Sequence, residues 1–320
     1  MATPAIERPI IIVGAPRSGT TILRNCLALH PDLWHLPGEA HAVLEGPFHP
    51  SHSGYESNRV TSASSTVAGE LRAGFANGAI NLNEGCTDPV ALLSAASVRD
   101  RIVAKIATAR AGRRSQRARP DRIRLLEKTP KNTLRVPLMA QLFPDALWIL
   151  LTRRPEPNID SLVDGWNAVD RFGPFSRPRF AASGYPIAQQ LELRDYDANV
   201  WKFALAPGWR ELHGASVADV CAWQYLQCNR YAMADLDLLG PRVFRLAHEE
   251  FTAAPVEITR AIFEWAELPE SQLVDQYAAA LPRVNATSEA PRNQGLRNAS
   301  VRSAIDARPE IRELATTMGY

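Results

Sequence analysis

Gly14-Ala15-Pro16-Arg17-Ser18-Gly19-Thr20-Thr21 follows the β-branched run Ile10–Val13 and precedes Ile22, Leu23, Cys26 and Leu27, apolar residues at helical spacing. A short continuous apolar run suits a strand covered on both faces, and the later spacing gives a helix one apolar side. GAPRSGTT therefore joins a strand to a helix. Glycines at 14 and 19 let the backbone approach an anion closely, and the first free N–H groups of the helix favour negative charge. Arg17 adds a cation inside the turn, and the Thr20 and Thr21 hydroxyls can donate to phosphate oxygens. A loop built for a magnesium triphosphate carries lysine before its final Ser or Thr. Thr20 stands in that place here, which points away from ATP hydrolysis. The plainer reading is a turn whose Ser and Thr merely cap a helix.

The chain has 320 residues, of which 46% are hydrophobic, and a formal net charge of +2. That length fits one large α/β domain with insertions, and the apolar share supports a sizeable core. Near-neutral charge argues against binding nucleic acid or a membrane surface through bulk electrostatics, so an anion site must be local. No apolar run reaches the roughly 18 to 20 residues of a membrane span, and the first residues lack a basic stretch followed by an apolar one. A cytoplasmic protein is expected. Cys26, Cys86, Cys221 and Cys228 show no C-x-x-C spacing and read as reduced thiols. Several histidines cluster between His30 and His52, but the Pro- and Gly-rich segment around His49 and His52 offers no helix to align ligands. No metal site is expected.

Farther along, residues 42–120 read as an insertion of loops and helices, with a helix over Val90–Ala109 and an arginine-dense run from Arg110 to Arg124 as a solvated helix end and linker. Ile123–Glu127 suggests a second strand, and Leu134, Leu138 and Leu142 predict a helix over Thr133–Phe143. The apolar run Leu147–Leu151 ends at Thr152, Arg153 and Arg154. Ligands of open α/β sheets bind beyond the carboxyl ends of the strands, which puts Arg153 at an anion site. Ile159, Leu162, Val163 and Trp166 then mark the buried side of a helix; Ser161 falls off that side, where its hydroxyl can share an anion with Arg153, although spacing alone favours an exposed serine and a surface arginine. Residues 167–215 are rich in aromatic residues, Pro and Gly and are the expected substrate lid. A helix over Ala218–Met233, with Val220, Trp223, Leu226 and Gln227 inside, a strand over Val243–Leu246 and a helix over Ile258–Trp265 complete the pattern. The expected fold is α/β: a P-loop-like doubly wound parallel sheet flanked by helices, with helical and loop insertions forming a substrate lid, in a single domain over residues 1–320.

With GAPRSGTT, LRNCLALHPDL, EKTPKN and FPDALWILLTRRPEPNIDSLVDGW in this order, the chain resembles the sulfotransferases that use 3′-phosphoadenosine 5′-phosphosulfate (PAPS). The wording is nearest to the bacterial small-molecule sulfotransferases and the protein-tyrosine sulfotransferases. The resemblance implies a sulfuryl transfer from PAPS to a hydroxyl of a small-molecule acceptor by in-line displacement, without metal. It assigns the donor's 5′-phosphosulfate to Arg17, Ser18, Gly19, Thr20 and Thr21, and its 3′-phosphate to Arg153 and Ser161.

A general base must take the acceptor's proton. The resemblance points to Glu39 in LPGEAH, although the interval from the HP dipeptide is two residues longer than in the tyrosine enzymes. His41 is the competing base. Lys128, with Pro130 two residues on, matches a lysine that stabilises the transferring group; Glu127 could instead hold it in a structural ion pair. The pattern breaks at Gly165, where the tyrosine enzymes have a second arginine, and at Glu249, where they have a tyrosine after the histidine represented here by His248. Arg292 or Arg297 could reach the 3′-phosphate. Two other readings share the loop: a P-loop kinase of small molecules, and a non-catalytic nucleotide-binding protein.

Overall fold

Ala5–Ile6 (β1) and Ile10–Val13 (β2) open a parallel sheet in the computed structural model, which describes residues 3–82, 119–172, 175–281 and 294–320. After β2 come helix α1 (Thr20–Leu27), strand β3 (Leu33–His35), and helices α2 (His41–Phe48) and α3 (Ser65–Gly78). Next are β4 (Arg122–Lys128), α4 (Val136–Leu142), β5 (Leu147–Thr152) and α5 (Pro155–Asn167). A hairpin of β6 (Val169–Phe172) and β7 (Phe175–Pro178) leads through irregular chain to α6 (Val217–Asp237) and β8 (Val243–Ala247). Helices α7 (His248–Ala253), α8 (Pro255–Ala266), α9 (Gln272–Ala279), α10 (Gln294–Asp306) and α11 (Glu310–Thr317) follow.

Strand β4 lies between β2 and an edge shared in succession by β1 and β3; on the other side β2 is followed by β5 and then β8. All these pairings are parallel, with Ile12 opposite both Lys128 and Ile149, and Thr152 opposite Ala247. The register has a direct consequence. The residues after β2, β4, β5 and β8, namely Gly14, Thr129, Arg153 and His248, all emerge at one carboxyl edge, where open α/β sheets bind ligands.

Successive side chains of a strand alternate between faces. Ile10 and Ile12 pack with Leu23, Leu27, Phe251, Ile262 and Phe263, while Ile11 and Val13 pack on the opposite face with Trp148, Leu71, Phe75 and Leu138. Each such fully buried aliphatic side chain contributes about 1.5–3 kcal/mol, which holds the short loop ends between two rigid layers. A third apolar cluster joins α5 and α6 to Tyr185, Trp201 and Trp209, and to Val301, Ile305 and Ile311 from the last two helices. These three aromatic residues of the 167–215 segment are therefore core residues.

Several details depart from the pattern in the sequence. Ile22 is 41% exposed, because the apolar side of α1 is made by Leu23, Cys26 and Leu27. The run Thr133–Phe143 is split into a 3₁₀ turn over Pro130–Leu134 and α4, since Pro137 fits only the first turn of a helix. On α6 the inward amide is Gln224 rather than Gln227; fully buried, it accepts from Trp166 Nε1 at 2.9 Å and donates to the carbonyls of Lys202 and Ala204. Strand β3 is too short to show a period, and α3 is hidden by its internal glycines. One of them, Gly74, sits where a Cβ would come within 3.0 Å of Val43 on α2.

The expected helix over Val90–Ala109, most of the arginine-dense run, Cys86, Arg292 and the side chain of Arg297 lie outside the described residues. Cys26, Cys221 and Cys228 are free and buried. Burial pushes the Cys26 and Cys228 thiols up to about 12, so neither offers a thiolate at neutral pH. No helix among the described residues is long and apolar enough to cross a membrane.

Candidate active site

The loop after β2 needs both of its glycines. A Cβ on Gly14 would stand 2.3 Å from the Leu151 carbonyl oxygen and 2.7 Å from Ser18 Oγ. Gly19 has φ 99, and a Cβ there would meet His248 Nδ1 at 2.3 Å. The imidazole at the start of α7 is thus seated against the turn that begins α1. Gly19 caps α1 without a side-chain hydrogen bond, so the helix N-terminus is left to its own N–H groups.

Arg17, in the left-handed region at φ 72, directs its side chain across to α5, where Nε donates to Ser161 Oγ at 3.0 Å. Arg153 Nη1 donates to the Arg17 carbonyl at 3.1 Å, and Asn158 Nδ2 donates to the Pro16 carbonyl at 3.3 Å. Loop, strand end and helix α5 are thereby stitched into one basic corner. Within it, Ser18 Oγ and Arg153 Nε are buried with no hydrogen-bond partner among the described residues. Buried donors left unpaired cost stability unless a ligand answers them. Burial lowers the pKa of Arg17 and of Arg153, yet a guanidinium stays charged in proteins.

Lys128, at the end of β4 and 5% exposed, lies on the other side of the loop. Its Nζ donates to Thr21 Oγ1 at 3.2 Å and to Glu39 Oε1 at 2.5 Å. The alternative partner, Glu127, points away: it accepts from Thr129 Oγ1 at 2.6 Å and from Asn132 Nδ2 at 2.9 Å. Thr129 Oγ1 also accepts from the Ala40 N–H at 2.7 Å, so this buried carboxylate indirectly fixes the turn beside Glu39.

Glu39 Oε2 accepts from His41 Nε2 at 2.9 Å. His41 Nδ1 lies 3.4 Å from Glu45 Oε1, an ion-pair distance one helical turn along α2. Glu45 Oε1 in turn accepts from Lys131 Nζ at 2.6 Å and from Tyr185 Oη at 2.9 Å, with Arg135 Nη2 at 3.8 Å. Lys131 also reaches the Ser183 carbonyl, which ties the 167–215 segment to the same cluster. A chain of polar contacts thus runs from Thr21 through Lys128, Glu39, His41 and Glu45 to Lys131.

Burial opposes ionisation of Glu39, but the hydrogen bonds from His41 and Lys128 and the Lys128 charge overcome it and draw the carboxyl down to about 2. Burial likewise opposes a charged His41, yet Glu39 and Glu45 raise its pKa above the ordinary imidazole value. Glu45 is held below the carboxylate range against its burial by His41 and Lys131, while burial brings Lys131 down to about 8. Both carboxylates are ionised acceptors at neutral pH.

Thus Arg17, Arg153 and Ser161 come together on one side of the loop, and Thr21, Lys128 and Glu39 on the other. Gly165 carries no side chain because a Cβ there would stand 2.4 Å from the ring of Phe203. Glu45, Lys131, Arg135 and Tyr185 were not singled out from the sequence; the i, i+4 pair His41/Glu45 and the second lysine of EKTPKN were the available signals. No group of three or more His, Cys, Asp or Glu side chains among the described residues is arranged to hold a metal ion.

The sulfotransferase domain of the curacin biosynthetic pathway superposes with a TM-score of 0.47 at 15% identity, covering 99% of each chain. A sulfotransferase from Mycobacterium avium gives 0.45 at 16% identity, over 94% of this chain and 77% of that one. A mouse sulfotransferase complexed with PAP gives 0.35 at 12% identity, over 91% and 70%. No curated protein sequence matches significantly. The profile of the sulfotransferase family matches residues 9–177, a span of more than half the chain that includes the Gly14–Thr21 loop, Glu39, Lys128, Arg153 and Ser161. The chain belongs to the sulfotransferase family.

Proposed function

We propose that this protein transfers a sulfuryl group from PAPS to a hydroxyl of a small-molecule acceptor by in-line displacement. The observation that carries the reading is the convergence at the carboxyl edge of two polar groups flanking one loop: Arg17, Arg153 and Ser161 on one side, Lys128 and Glu39 on the other. The donor fits this corner because Ser18 Oγ and Arg153 Nε are buried donors without partners among the described residues and because the glycine-lined turn admits backbone-close anions.

When bound, PAPS supplies an activated sulfuryl group and a nucleotide leaving group. The N–H groups of the loop, with Ser18, Gly19, Thr20 and Thr21, hold the 5′ anion; Arg17 lies at its junction with Arg153 and Ser161, which hold the 3′-phosphate. Lys128 sits beside Thr21, where its ammonium stabilises charge that develops on the leaving side. Glu39 accepts the proton of the acceptor hydroxyl. An anion in the loop competes with Glu39 for Lys128, and every hydrogen bond Glu39 loses makes it a stronger base. The 167–215 segment covers the acceptor, tied to the Glu45 cluster through Lys131 and Tyr185.

The test is incubation with sulfate-labelled PAPS and a panel of phenols, alcohols and glycosides, alongside calorimetric titration with 3′,5′-adenosine bisphosphate. Label transfer and bisphosphate binding without magnesium are expected. Absence of both would overturn the reading, and magnesium-dependent ATP binding would favour a P-loop kinase. Bisphosphate binding without transfer to any acceptor would instead fit a non-catalytic nucleotide-binding protein.

A further inference from the structure

The turn Thr152–Arg153–Arg154 is held from a direction the motif does not include. Helix α11 ends in a left-handed Gly319 at φ 89, and the next residue folds back, with the Tyr320 N–H donating to the Ala315 carbonyl at 2.9 Å. The half-buried phenol of Tyr320 is thereby brought to the carboxyl edge of the sheet. Its hydroxyl lies 3.0 Å from Glu249 Oε2 and 3.1 Å from Thr152 Oγ1. The other oxygen of Glu249 accepts from the Arg154 N–H at 3.2 Å. Tyr225 Oη donates to the Arg153 carbonyl at 3.0 Å. Arg153 is thus framed at both of its chain neighbours, and Tyr320 with Glu249 makes that frame on one side.

Glu249 presents a problem for any phosphate held by Arg153. A carboxylate whose charge reaches Arg153 also repels a phosphate bound there, and like charges in a partly buried site are poorly screened. A hydroxyl that donates to one carboxylate oxygen, while a backbone N–H occupies the other, disperses that charge and fixes its direction. Tyr320 is the side chain that does so. The helix that carries it is anchored by Ile311 and Ala315, which are buried, so the hydroxyl is delivered from a rigid element.

We infer that Tyr320 is a positioning residue for the donor's 3′-phosphate: it holds Glu249 on the Arg154 N–H and away from the anion that Arg153 binds. The inference rests on the PAPS reading above. Its mark is selectivity for the 3′-phosphate, since Glu249 acts on that anion and hardly at all on the 5′ end.

The experiment compares 3′,5′-adenosine bisphosphate with 5′-adenosine monophosphate by calorimetry on the full chain, for the wild type, Tyr320→Phe, Glu249→Gln and the double variant. Tyr320→Phe keeps the ring and its packing but loses the hydroxyl. It is expected to weaken bisphosphate binding about tenfold, the scale of a lost hydrogen bond to a charged group, and to leave the monophosphate unchanged. The double variant is expected to return to within about twofold of Glu249→Gln alone, because without the charge there is nothing to restrain. A melting temperature within about 2 °C of wild type identifies the effect as local. Unchanged bisphosphate affinity in Tyr320→Phe, equal losses for both nucleotides, or no recovery in the double variant overturns the inference while the PAPS reading stands. A wild-type protein that binds no bisphosphate overturns both.

Discussion

Around the Gly14–Thr21 loop, Ser18 Oγ and Arg153 Nε are buried without hydrogen-bond partners among the described residues, whereas farther along the chain the carboxylates of Glu39 and Glu45 each face at least two cations. The two regions share the carboxyl edge and one bridging lysine, yet they differ in what they leave open. Among the described residues, the loop side gathers donors whose only carboxylate neighbours lie behind them, on α5 and α7; on the Glu39 side each carboxylate is already paired with cations, although both terminal nitrogens of Arg135 have no hydrogen bond. A preorganised set of unpaired donors costs stability in the empty protein and returns it when an anion arrives. A balanced network does the reverse: it is stable alone and must be partly opened before one of its members can take a proton. Under the sulfotransfer proposal the two halves therefore separate binding from turnover, and variants should separate them as well.

Glu39→Ala gives the largest expected effect. Turnover falls about a thousandfold, the range of a positioned general base, while the dissociation constant for 3′,5′-adenosine bisphosphate moves less than about threefold. If turnover is unaffected, the base is His41 or another group. If affinity falls together with turnover, the division between the two regions is lost. Glu45→Gln comes next and acts on folding. With Glu45 neutral, Lys131 and Arg135, respectively 3% and 0% exposed in their side chains, lose their common counter-ion. Breaking a buried pair in this way costs about 3 kcal/mol, which denaturant melts measure directly. Unchanged stability would mean that Lys131 sheds its proton in the folded protein, which its pKa of about 8 makes accessible near neutral pH.

Arg153→Ala is the counterpart on the loop side. Bisphosphate affinity should weaken about thirtyfold, corresponding to about 2 kcal/mol for charged hydrogen bonds, and turnover at saturating donor should change far less. A drop in turnover as large as that of Glu39→Ala would show that Arg153 also shapes the reacting centre.

The two regions also differ in how much of them could be read from the sequence. The loop and the strand-end place of Arg153 were legible because each lies where a strand meets a turn or helix and a few consecutive residues fix both conformation and chemistry, whereas Lys128 and Ser161, the latter in the middle of α5, were singled out only through the family resemblance. The four longer strands β2, β4, β5 and β8 were legible as apolar runs, while the two- and three-residue strands β1 and β3 were too short to leave a pattern. The bond from Arg17 to Ser161 was not legible, since it spans 144 positions and depends on a left-handed residue that no pattern announces. Glu45, Lys131 and Tyr185 meet across 86, 54 and 140 positions. Nothing local marks Tyr185 as a hydrogen-bonding core residue instead of a lid aromatic. Isolated elements are written in adjacent residues; a charge network is written in the packing of several.

His41→Asn tests the network at its middle and has the smallest expected effect. His41 is raised above the ordinary imidazole value by its carboxylate neighbours, so its favourable contribution is complete below about pH 6.5, the unfolded value, and is lost as pH rises through the folded one. Glu39 has the opposite sense: its contribution is complete above about 4.5 and is lost as pH falls toward about 2. Removing the imidazole takes away one of the two hydrogen bonds that hold Glu39 down, so its folded pKa rises toward 4.5. The acid limb of kcat/KM should then move up by about one pH unit or less. The melting-temperature difference between wild type and variant should be present at pH 6 and shrink by pH 9. A limb that stays in place, with a difference independent of pH, would mean that His41 is held by packing alone and that Lys128 sets the charge of Glu39 unaided.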